Sequence, residues 1–291
     1  MADQPAEGLT VALPVFDQGK TLARAVAAWQ PVLDGLQRPY ELLIVDDGSR
    51  DETRAQADLL AARNTRISVL SHPDRRGFGA AVRTALDAGK YPLFFYTSVD
   101  HGWNPNDLPR LLKGLAVKDE YTGKQVEIVN GHRRGTTMPA GRRRLNWLWR
   151  ALVRVVFGYM PEPPKGWLGP AENRFWWKCR LYFGLRVGDV NSKFKLFRRH
   201  VFDRMVLQSD GEFIHAEILA KANFLGCLMD EIVLGDRPDP PVVPDVREEM
   251  WKVFRDARFR SPVPTPGLTA GEGPVPPGDT GHTSQLAAPP S

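Results

Sequence analysis

The sequence is poor in cysteine and in long apolar runs. Its 291 residues include two cysteines, Cys179 and Cys227, which lie far apart and form no C-x-x-C pattern. A disulfide framework or a zinc centre is therefore not expected, and this cysteine usage is typical of a reducing cytoplasm. No window approaches about eighteen consecutive apolar residues, and the opening MADQPAEG lacks the basic and apolar regions of a signal peptide. We expect a cytoplasmic protein, either soluble or peripheral on the inner face of the membrane.

One stretch of the chain has no acidic residue. Between Glu127 and Glu162 there is no Asp or Glu, although the formal net charge of the whole chain is a modest +5. Such a basic block attracts phosphate groups on lipids, nucleotides or nucleic acids, and a solvated helix face is the alternative interpretation. Its seven arginines are Arg133, Arg134, Arg142, Arg143, Arg144, Arg150 and Arg154.

Strand and helix patterns alternate through the first hundred residues. Apolar runs predict strands at LTVALPV, YELLIVDD, TRISVLSH and YPLFFYTSVD, and helical segments of about a dozen residues separate them. Ser49, followed three residues later by Glu52, predicts the start of the second helix through a capping box. Strands joined by helices form crossover units, so we predict an α/β fold with a Rossmann-like, mostly parallel sheet flanked by helices.

The composition predicts one domain with unstructured ends. Residues 9–260 are expected to form the α/β domain, and residues 1–8 a flexible N-terminus. Within the domain, residues 142–185 form an amphipathic, Trp-rich region, and the aromatic side chains of residues 161–183 suit an acceptor lid, a membrane-interface patch or the core. Residues 261–291 are rich in Pro, Gly and Ser and almost free of large apolar side chains, so we predict a disordered C-terminal tail.

The stretch FFYTSVDHGWNP brings a single acidic residue, Asp100, to the end of a predicted buried strand. Ligands of open α/β sheets bind at the carboxyl ends of strands, and a pair of aspartates there can hold a divalent metal on a diphosphate. Ser98 stands two residues before Asp100, so the chain has only one of the two carboxylates. Asp100 is therefore either a weak metal ligand or a turn residue.

Two further motifs lie where a strand ends or a helix begins. Asp46 and Asp47 precede Gly48, a position from which a carboxylate accepts N–H groups of a nucleobase or ribose hydroxyls. Capping the next helix is the alternative for both. In RRGFGAA, Gly77 and Gly79 stand at a helix start, where free backbone N–H groups favour a phosphate, although plain turn chemistry explains the same glycines.

Four motifs in this order resemble the family 2 glycosyltransferases of GT-A fold, closest to the dolichyl-phosphate mannose synthase type. They are LPVFDQ at 13–18, IVDDGSRDET at 44–53, RRGFGAAVRTAL at 75–86 with YTSVDHGWNP at 96–105, and GDVNSKFKLFRRHVF at 188–202. The resemblance runs from about residue 9 to residue 234. It implies a nucleoside diphosphate sugar as donor, a GT-A fold, and inversion at the anomeric carbon.

The resemblance also assigns roles on the donor side. It puts Asp47 on the nucleobase and Phe16, after Pro14, beside the base as a stacking wall. It places the loop at Gly77 on the nucleotide side of the cleft. Ser98 takes the place of the first carboxylate of the family's aspartate pair, and it is expected to contact the nucleotide.

Three residues are expected to act in catalysis. Asp100 takes the place of the second carboxylate and would hold Mg²⁺ or Mn²⁺ weakly, chiefly with the nucleotide bound; arginine and lysine meeting the phosphate charge without a metal is the alternative. Lys195 matches the family's basic residue and would neutralise the departing diphosphate. Arg133 carries over as a ligand of the acceptor phosphate. Gly102 stands where the family often has an amide side chain.

The acceptor implied by the resemblance is a polyprenyl phosphate. Arg142 and Asn146, one helical turn apart, are further acceptor-phosphate candidates beside Arg133. The amphipathic segment from Arg142 to Phe157 places Arg beside Trp, which suits an anionic membrane surface. Residues 142–185 are thus predicted to be the acceptor side of the domain.

The choice of acceptor decides whether a catalytic base is needed. A lipid phosphate is already ionised, whereas a saccharide or protein hydroxyl would need a base such as Glu217 or His215 in FIHAEIL. A helix-surface acid is the alternative for Glu217, and a structural role for His215. We therefore predict transfer of a hexose to a polyprenyl phosphate, with transfer to a hydroxyl or a degenerate, non-catalytic nucleotide-sugar module as alternatives. No nucleic-acid partner is predicted.

Overall fold

A computed structural model of the protein describes residues 6–99, 103–120, 123–134, 147, 170–236 and 246–260. In this part of the chain there are seven strands, seven α-helices and two 3-10 turns. The strands are β1 (Leu9–Val15), β2 (Tyr40–Asp46), β3 (Ile67–Ser71), β4 (Leu93–Tyr96), β5 (Ile128–Arg134), β6 (Lys195–Arg198) and β7 (Met229–Asp236). The helices are α1 (Gly19–Gly35), α2 (Thr53–Arg63), α3 (Phe78–Ala88), α4 (Leu108–Leu115), α5 (Pro170–Phe183), α6 (Ile214–Phe224) and α7 (Arg247–Arg255), and the 3-10 turns are Pro105–Asp107 and Arg199–Arg204.

The seven strands form one sheet in the order β3-β2-β1-β4-β6-β5-β7. Strands β1 to β4 are mutually parallel, β5 is parallel to β7, and β6 runs antiparallel to both β4 and β5. The predicted mostly parallel sheet flanked by helices is therefore confirmed. The chain moves outward from β1 to β2 and β3 on one side and returns to β4 on the other, so the crevice between β1 and β4 is a topological switch point where ligands bind.

Helices cover both faces of the sheet. On one face, Phe94, Tyr96 and Phe197 pack against side chains of α3, α5, α6 and α7. On the other face, Phe95 packs against Trp29 of α1, with ring centroids 5.5 Å apart. Neighbouring residues of β4 serve opposite faces because side chains alternate along a strand. Each buried aromatic stabilises the fold by about 1.5 to 3 kcal/mol relative to its exposed state.

The capping-box prediction for the second helix is wrong. Helix α2 begins at Thr53, and the hydroxyl of Ser49 accepts the backbone N–H of Asp17 in the loop after β1. The Asp51 carboxylate instead accepts the Thr53 N–H at 2.9 Å. Since β1 and β2 are adjacent and parallel, their following loops lie side by side, and this tertiary contact outweighs the local motif.

The Trp-rich region contributes to the core where it is described. Residues 170–183 form helix α5, and Trp176 and Trp177 are buried. The Trp176 indole N–H donates to the Val187 carbonyl at 2.7 Å, which satisfies its polar group. Of the three interpretations of this region, core packing applies to these two side chains.

Several predictions fall outside the described residues. They are the ends at 1–5 and 261–291, the helix predicted for 142–157 apart from Trp147, and the loop with Trp167. At the N-terminus, Glu7 is described and pairs with Arg198 at 3.0 Å. No helix in the described ranges combines the length and apolar character needed to cross a bilayer.

Candidate active site

The loops after β1 and β2 are locked together at the carboxyl edge of the sheet. The Asp17 carboxylate accepts the Arg50 N–H at 2.8 Å, and Asp17 itself has a positive φ of 51°. The backbone N–H of Gln18 donates to the Thr53 hydroxyl at 2.7 Å, and that of Gly19 to the Asp51 carboxylate at 3.0 Å. These contacts between the two loops fix the residues that follow β1 and β2 in one position.

Asp47, the predicted base-binding residue, is buried at the end of β2. Its carboxylate accepts the backbone N–H groups of Arg76 at 2.9 Å and Gly77 at 2.7 Å. The same carboxylate lies 2.7 Å from His72 Nδ1, and His72 Nε2 lies 2.8 Å from the Thr84 hydroxyl. Asp47 thus ties the end of β2 to the loop that carries the glycines. Asp46 contacts the turn instead, accepting the Ser49 N–H at 3.1 Å.

The glycines of the loop allow another backbone segment to approach. A Cβ at Gly77 would lie 2.4 Å from the Asp210 carbonyl oxygen, and a Cβ at Gly79 would lie 2.4 Å from that of Ser209. Gly77 also has a φ of 106°, in the range that favours glycine. The N–H of Gly77 is donated to Asp47 and that of Ala80 to the Asp210 carbonyl. Close packing of residues 209–211 is therefore one physical reason for this glycine pattern.

A cleft of about 690 Å³ opens beside these loops, between α1 and the end of β4. Its volume lies within the range of roughly 300–1,000 Å³ that is usual for small-molecule sites. At the edge of the cleft, the Arg75 guanidinium lies 4.1 Å from the centre of the Phe16 ring. Pro14 is buried in β1, where it pairs with Val45 of β2. The cleft is lined by Phe16, Asp17, Gln18, Thr21, Arg24, Ala25, Ala28, Trp29, Ser98, Val99, Trp103 and Pro105.

Within the described part of the chain, Gln18 Oε1 is buried and has no hydrogen-bond partner. Gln18 also lines the cleft, so its amide lies at the site with one polar atom not yet satisfied. Sequence reasoning missed Gln18 as a candidate, although it ends the motif LPVFDQ.

The donor set for a metal is sparse. Ser98 is 3% exposed and lines the cleft, while Asp100 and Gly102 lie outside the described residues. The described residues contain no group of three or more His, Cys, Asp or Glu side chains that could hold a metal ion. A hard cation at this strand end would therefore depend on Asp100 and on phosphate oxygens of a bound nucleotide.

Lys195 begins β6, the strand next to the end of β4, and is fully buried. It pairs with Tyr96 on β4 and with Asn130 on β5. Its ammonium group donates to the Asn130 side-chain oxygen and, at 3.2 Å, to the Val190 carbonyl. The Asn130 amide in turn donates to Glu231 at 3.0 Å. The cation predicted for the leaving diphosphate thus lies within a buried polar network, and it is not among the residues that line the cleft.

Arg133 is in β5, three residues after Asn130, and its side chain lies outside the described structure. Arg142 and Asn146, the other acceptor-phosphate candidates, also lie outside it. The structure therefore brings together Asp47, Gly77 and the end of β2, and separately Ser98 and Lys195 around the end of β4.

His215, which the sequence analysis named only as a possible base, belongs to a chain of polar side chains whose other members were missed. Lys193 pairs with Glu212 at 2.8 Å, Glu212 lies 3.2 Å from His215 Nε2, and His215 Nδ1 lies 2.9 Å from the Tyr96 hydroxyl. The Lys193 ammonium also lies 4.6 Å from the centre of the Phe78 ring. The i,i+3 spacing of Glu212 and His215 was the available signal, since it places both on one side of a helix start.

Burial and neighbouring charges shift the pKa values of three side chains in this polar network. Burial lowers the pKa of His215 to about 4, against the opposing effect of Glu212. Burial alone would raise the pKa of Glu212, but the His215 hydrogen bond and the Lys193 charge lower it to about 2. Burial also raises the pKa of Tyr96. A neutral His215 beside an ionised Glu212 must donate from Nε2 and accept the Tyr96 O–H at Nδ1.

Glu217 is not the helix-surface acid that was the alternative to a catalytic base. It is fully buried, and its carboxylate accepts the N–H groups of Gln208 at 2.7 Å and Ser209 at 2.8 Å. It also pairs with the ammonium group of Lys221 at 2.6 Å. The side chain points inward because helix α6 is covered on all sides, so its polar group needs internal partners.

Comparison with known proteins places the chain among sugar transferases. The family model described as Glycosyl transferase family 2 matches residues 10–206. Polyprenol monophosphomannose synthase of Mycolicibacterium smegmatis is 26% identical over 71% of this chain and 67% of its own length. Human dolichyl-phosphate beta-glucosyltransferase is 26% identical over 80% of this chain and 68% of its own length. Undecaprenyl-phosphate mannosyltransferase of Micrococcus luteus is 29% identical over 40% of this chain and 49% of its own length, so the chain spans half to two thirds of these relatives.

Solved structures extend the comparison to the fold. Glucosyl-3-phosphoglycerate synthase from Mycobacterium tuberculosis, in complex with Mn²⁺, uridine diphosphate and glucosyl-3-phosphoglycerate, has a TM-score of 0.53 to this chain at 20% identity. The likeness covers 86% of this chain and 76% of that one. The same synthase has been solved with Mg²⁺ and uridine diphosphate. This likeness agrees with the GT-A architecture predicted from the sequence.

Proposed function

The chain belongs to glycosyl transferase family 2, and on that premise we propose that it transfers a hexose from a nucleoside diphosphate sugar to a polyprenyl phosphate, with inversion at the anomeric carbon. The relatives that cover most of the chain are named for transfer to polyprenol or dolichyl phosphate. Such a reaction needs a cleft for the donor, a way to shield the phosphate charge, and an acceptor that reacts without a general base.

The hydrogen bonds of Glu217 and the pKa of His215 bear on which acceptor the protein uses. A hydroxyl acceptor needs a base, but the Glu217 carboxylate is occupied by two backbone N–H groups and Lys221. His215 is buried between Tyr96 and Glu212, and a pKa of about 4 makes it a weak base. A phosphate monoester needs no proton removed, only alignment and charge shielding. The geometry therefore favours a phosphate acceptor over a saccharide or protein hydroxyl.

We place the nucleotide in the cleft between α1 and the end of β4. Phe16, with Arg75 above it, offers a flat surface for a base, and Gln18 lines the same cleft. Asp47 holds the loop at Gly77 in place, and it is proposed to contact the nucleobase as well. Ser98 is near enough to the cleft to contact the diphosphate.

A divalent cation is proposed as a weakly held partner of the diphosphate. Asp100 and the phosphate oxygens would hold it, with Ser98 as a neutral neighbour in place of a second carboxylate. When bound, such an ion stabilises the charge of the leaving diphosphate. Lys195, buried beside the same strand end in the network around Asn130, would contribute positive potential.

The acceptor side is proposed around Arg133. Arg133 on β5, with Arg142 and Asn146, would bind the lipid phosphate by charge-assisted hydrogen bonds. The basic block that contains them also favours an anionic membrane surface on the cytoplasmic side. A lipid acceptor and a membrane partner are consistent with each other, since the polyprenyl chain resides in the bilayer.

A donor screen tests the proposal directly. Common nucleoside diphosphate hexoses are incubated with the chain, Mn²⁺ and a polyprenyl phosphate in detergent, and mass spectrometry follows the lipid-linked sugar. We expect a hexosyl polyprenyl phosphate with one donor, and the NMR coupling at the anomeric carbon should show inversion. Product formed on a saccharide hydroxyl but not on the lipid phosphate would contradict the acceptor assignment.

The second candidate function is a non-catalytic nucleotide-sugar module. Ser98 in place of a carboxylate is the observation that favours it, because hard-cation affinity falls when a charged ligand is replaced by a neutral one. Calorimetry separates the two functions: nucleotide binding without any sugar transfer or donor hydrolysis supports the module, whereas turnover with metal supports the enzyme.

A further inference from the structure

Helices α5 and α7 bring three exposed aromatic side chains into contact. Tyr182, Trp251 and Phe254 are 42%, 42% and 46% exposed. The Tyr182 ring centre lies 5.7 Å from that of Trp251 and 5.6 Å from that of Phe254, and Trp251 and Phe254 are 5.5 Å apart. These three residues are called the aromatic patch below. Large apolar side chains scattered singly on a surface need no explanation, but a contiguous cluster marks an interaction site.

Both helices also contribute side chains to the core. Met250 and Val253 of α7 are buried, as are Phe175, Trp176 and Cys179 of α5. The aromatic patch borders this core, since the Phe254 ring centre lies 5.9 Å from that of Phe183, which packs against the core. It is the part of this apolar surface that stays exposed although both helices already have core partners.

Cations flank the aromatic patch at helical spacing. On α5, Arg174, Lys178 and Tyr182 follow each other at intervals of four residues, and so share one face. On α7, Arg247, Trp251 and Arg255 have the same spacing, and the Arg255 guanidinium lies 5.8 Å from the centre of the Trp251 ring. Each row thus places positive charge beside an aromatic ring.

This combination fits an anionic bilayer surface. Trp and Tyr have an apolar ring and a polar tip, which suits the headgroup layer, and each Lys or Arg near an anionic leaflet contributes about 1 kcal/mol. Residues 247–260 contain five cations and three acids, and one of the acids, Glu249, is occupied by backbone N–H groups. We propose that the aromatic patch and its flanking cations dock the protein onto an anionic lipid bilayer.

Hydrogen bonds link α7, which carries two residues of the aromatic patch, to the candidate active site. The Glu249 carboxylate on α7 accepts the N–H groups of Asp210 at 2.9 Å and Gly211 at 2.6 Å. Those residues pack against Gly77 and Gly79 at the start of α3. Helix α7 therefore carries the docking surface on one side and holds a rim of the site on the other. The inference rests on the proposed function in that a lipid acceptor gives the docking its purpose.

Vesicle co-sedimentation tests the docking. The full chain is spun with vesicles of phosphatidylcholine containing phosphatidylglycerol, and the bound fraction is measured over lipid concentration. Replacing Tyr182, Trp251 and Phe254 together by Ser should weaken binding by about tenfold or more. The matched control replaces Leu59 and Val117, which are 51% and 52% exposed on other parts of the surface, by Ser and should bind as the parent does.

Charge reversal provides a second, independent pair of variants. Arg174→Glu, Lys178→Glu and Arg255→Glu together should reduce binding by at least about a hundredfold, given three reversed charges. Arg63→Glu with Lys113→Glu is the control, since both side chains are exposed on α2 and α4. Equal binding by patch variants and controls would overturn the proposal.

Other occupants of the patch give different results. If it is an interface between two copies, the Ser variants convert a dimer into a monomer in sedimentation velocity and leave vesicle binding unchanged. If residues of the chain itself cover it, the Ser variants lower the melting temperature and leave vesicle binding unchanged. Either outcome contradicts membrane docking.

Failure of docking can be distinguished from failure of the proposed function. A short-chain, water-soluble polyprenyl phosphate is offered without vesicles, and the patch variants should turn it over at the parent rate. Vesicle binding through the patch without turnover of the soluble acceptor would leave docking in place and refute the transferase. Turnover of the soluble acceptor with no vesicle binding by the parent would refute docking alone.

Discussion

The Asp47 carboxylate accepts the backbone N–H of Gly77 at 2.7 Å and thereby joins the end of β2 to the start of α3. Gly77 in turn has no side chain, so the Asp210 carbonyl can approach to where a Cβ would be. One buried carboxylate thus organises three chain segments at the edge where the nucleotide is proposed to bind. The function of Asp47 therefore includes positioning, whatever else it contacts in the bound state.

Asp47→Asn should weaken nucleotide binding by about tenfold, because an amide cannot accept both N–H groups as the carboxylate does and the loop at Gly77 loses its fixed position. Calorimetric titration with uridine and guanosine diphosphates measures the effect. Asp58→Asn is the matched control, since Asp58 is exposed on α2 and pairs only locally with Arg54. Equal affinities for the two variants would argue against a positioning role for Asp47.

The parallel half of the sheet was predictable from the sequence. Strands β1, β2 and β4 are buried on both faces, and such strands appear as continuous apolar runs that local pattern reading detects. Strand β6 is different because it inserts antiparallel between β4 and β5, and this pairing joins residues distant in sequence. Helix α7 was not predicted, since only Met250 and Val253 of its charged sequence face the core.

The site was predictable where residues end strands, and not where contacts are long-range. The positions of Asp47 and Ser98 follow from the carboxyl edge of a parallel sheet. The burial of Lys195 does not, because a lysine between apolar neighbours is equally compatible with a solvated rim. The pairs Lys193–Glu212 and Glu249–Gly211 join elements whose proximity depends on the whole fold.

The pH dependence of stability should reveal His215. The pKa of His215 is about 4 in the folded state and about 6.5 in the unfolded state. Between these two pH values the unfolded state therefore binds more protons than the folded state. Stability is therefore fully present above pH 6.5 and should fall by about 3 kcal/mol as pH decreases to 4. The contribution of Glu212, with a pKa of about 2, is lost only at lower pH. Urea unfolding at several pH values measures the slope.

His215→Asn tests the assignment, because its side-chain oxygen can still accept the Tyr96 O–H while the titrating group is gone. The variant should be less stable at pH 7 but nearly flat between pH 6.5 and 4. His200→Asn is the control, since His200 is 57% exposed and should retain the parent slope. A parent protein whose stability does not change over this range would contradict the prediction.

Glu217→Gln should destabilise the protein by about 3 to 5 kcal/mol without changing the activity of the folded molecules. The substitution leaves the Lys221 ammonium buried without its counter-charge, and it disturbs the two N–H groups of residues 208 and 209. Urea unfolding measures the free energy of unfolding, and turnover is expressed per folded molecule. Glu120→Gln, at an exposed position, should have no effect on either. Loss of turnover with normal stability would instead identify Glu217 as a base.

Ser98→Asp should strengthen metal binding by restoring the pair of carboxylates at the end of β4. Mn²⁺ affinity in the presence of uridine diphosphate is expected to rise about tenfold or more, since hard-cation affinity increases with ligand charge. Calorimetry of the ternary complex measures this without relying on turnover. Ser98→Asn is the matched control, because it has similar size but no added charge, and it should bind Mn²⁺ as weakly as the parent. Asp100→Ala should abolish the gain in the Ser98→Asp background, because a lone carboxylate at either position leaves the ion dependent on the phosphates. If Mn²⁺ affinity is the same in Ser98→Asp and Ser98→Asn, then the end of β4 does not face the diphosphate and the proposed metal site is in the wrong place.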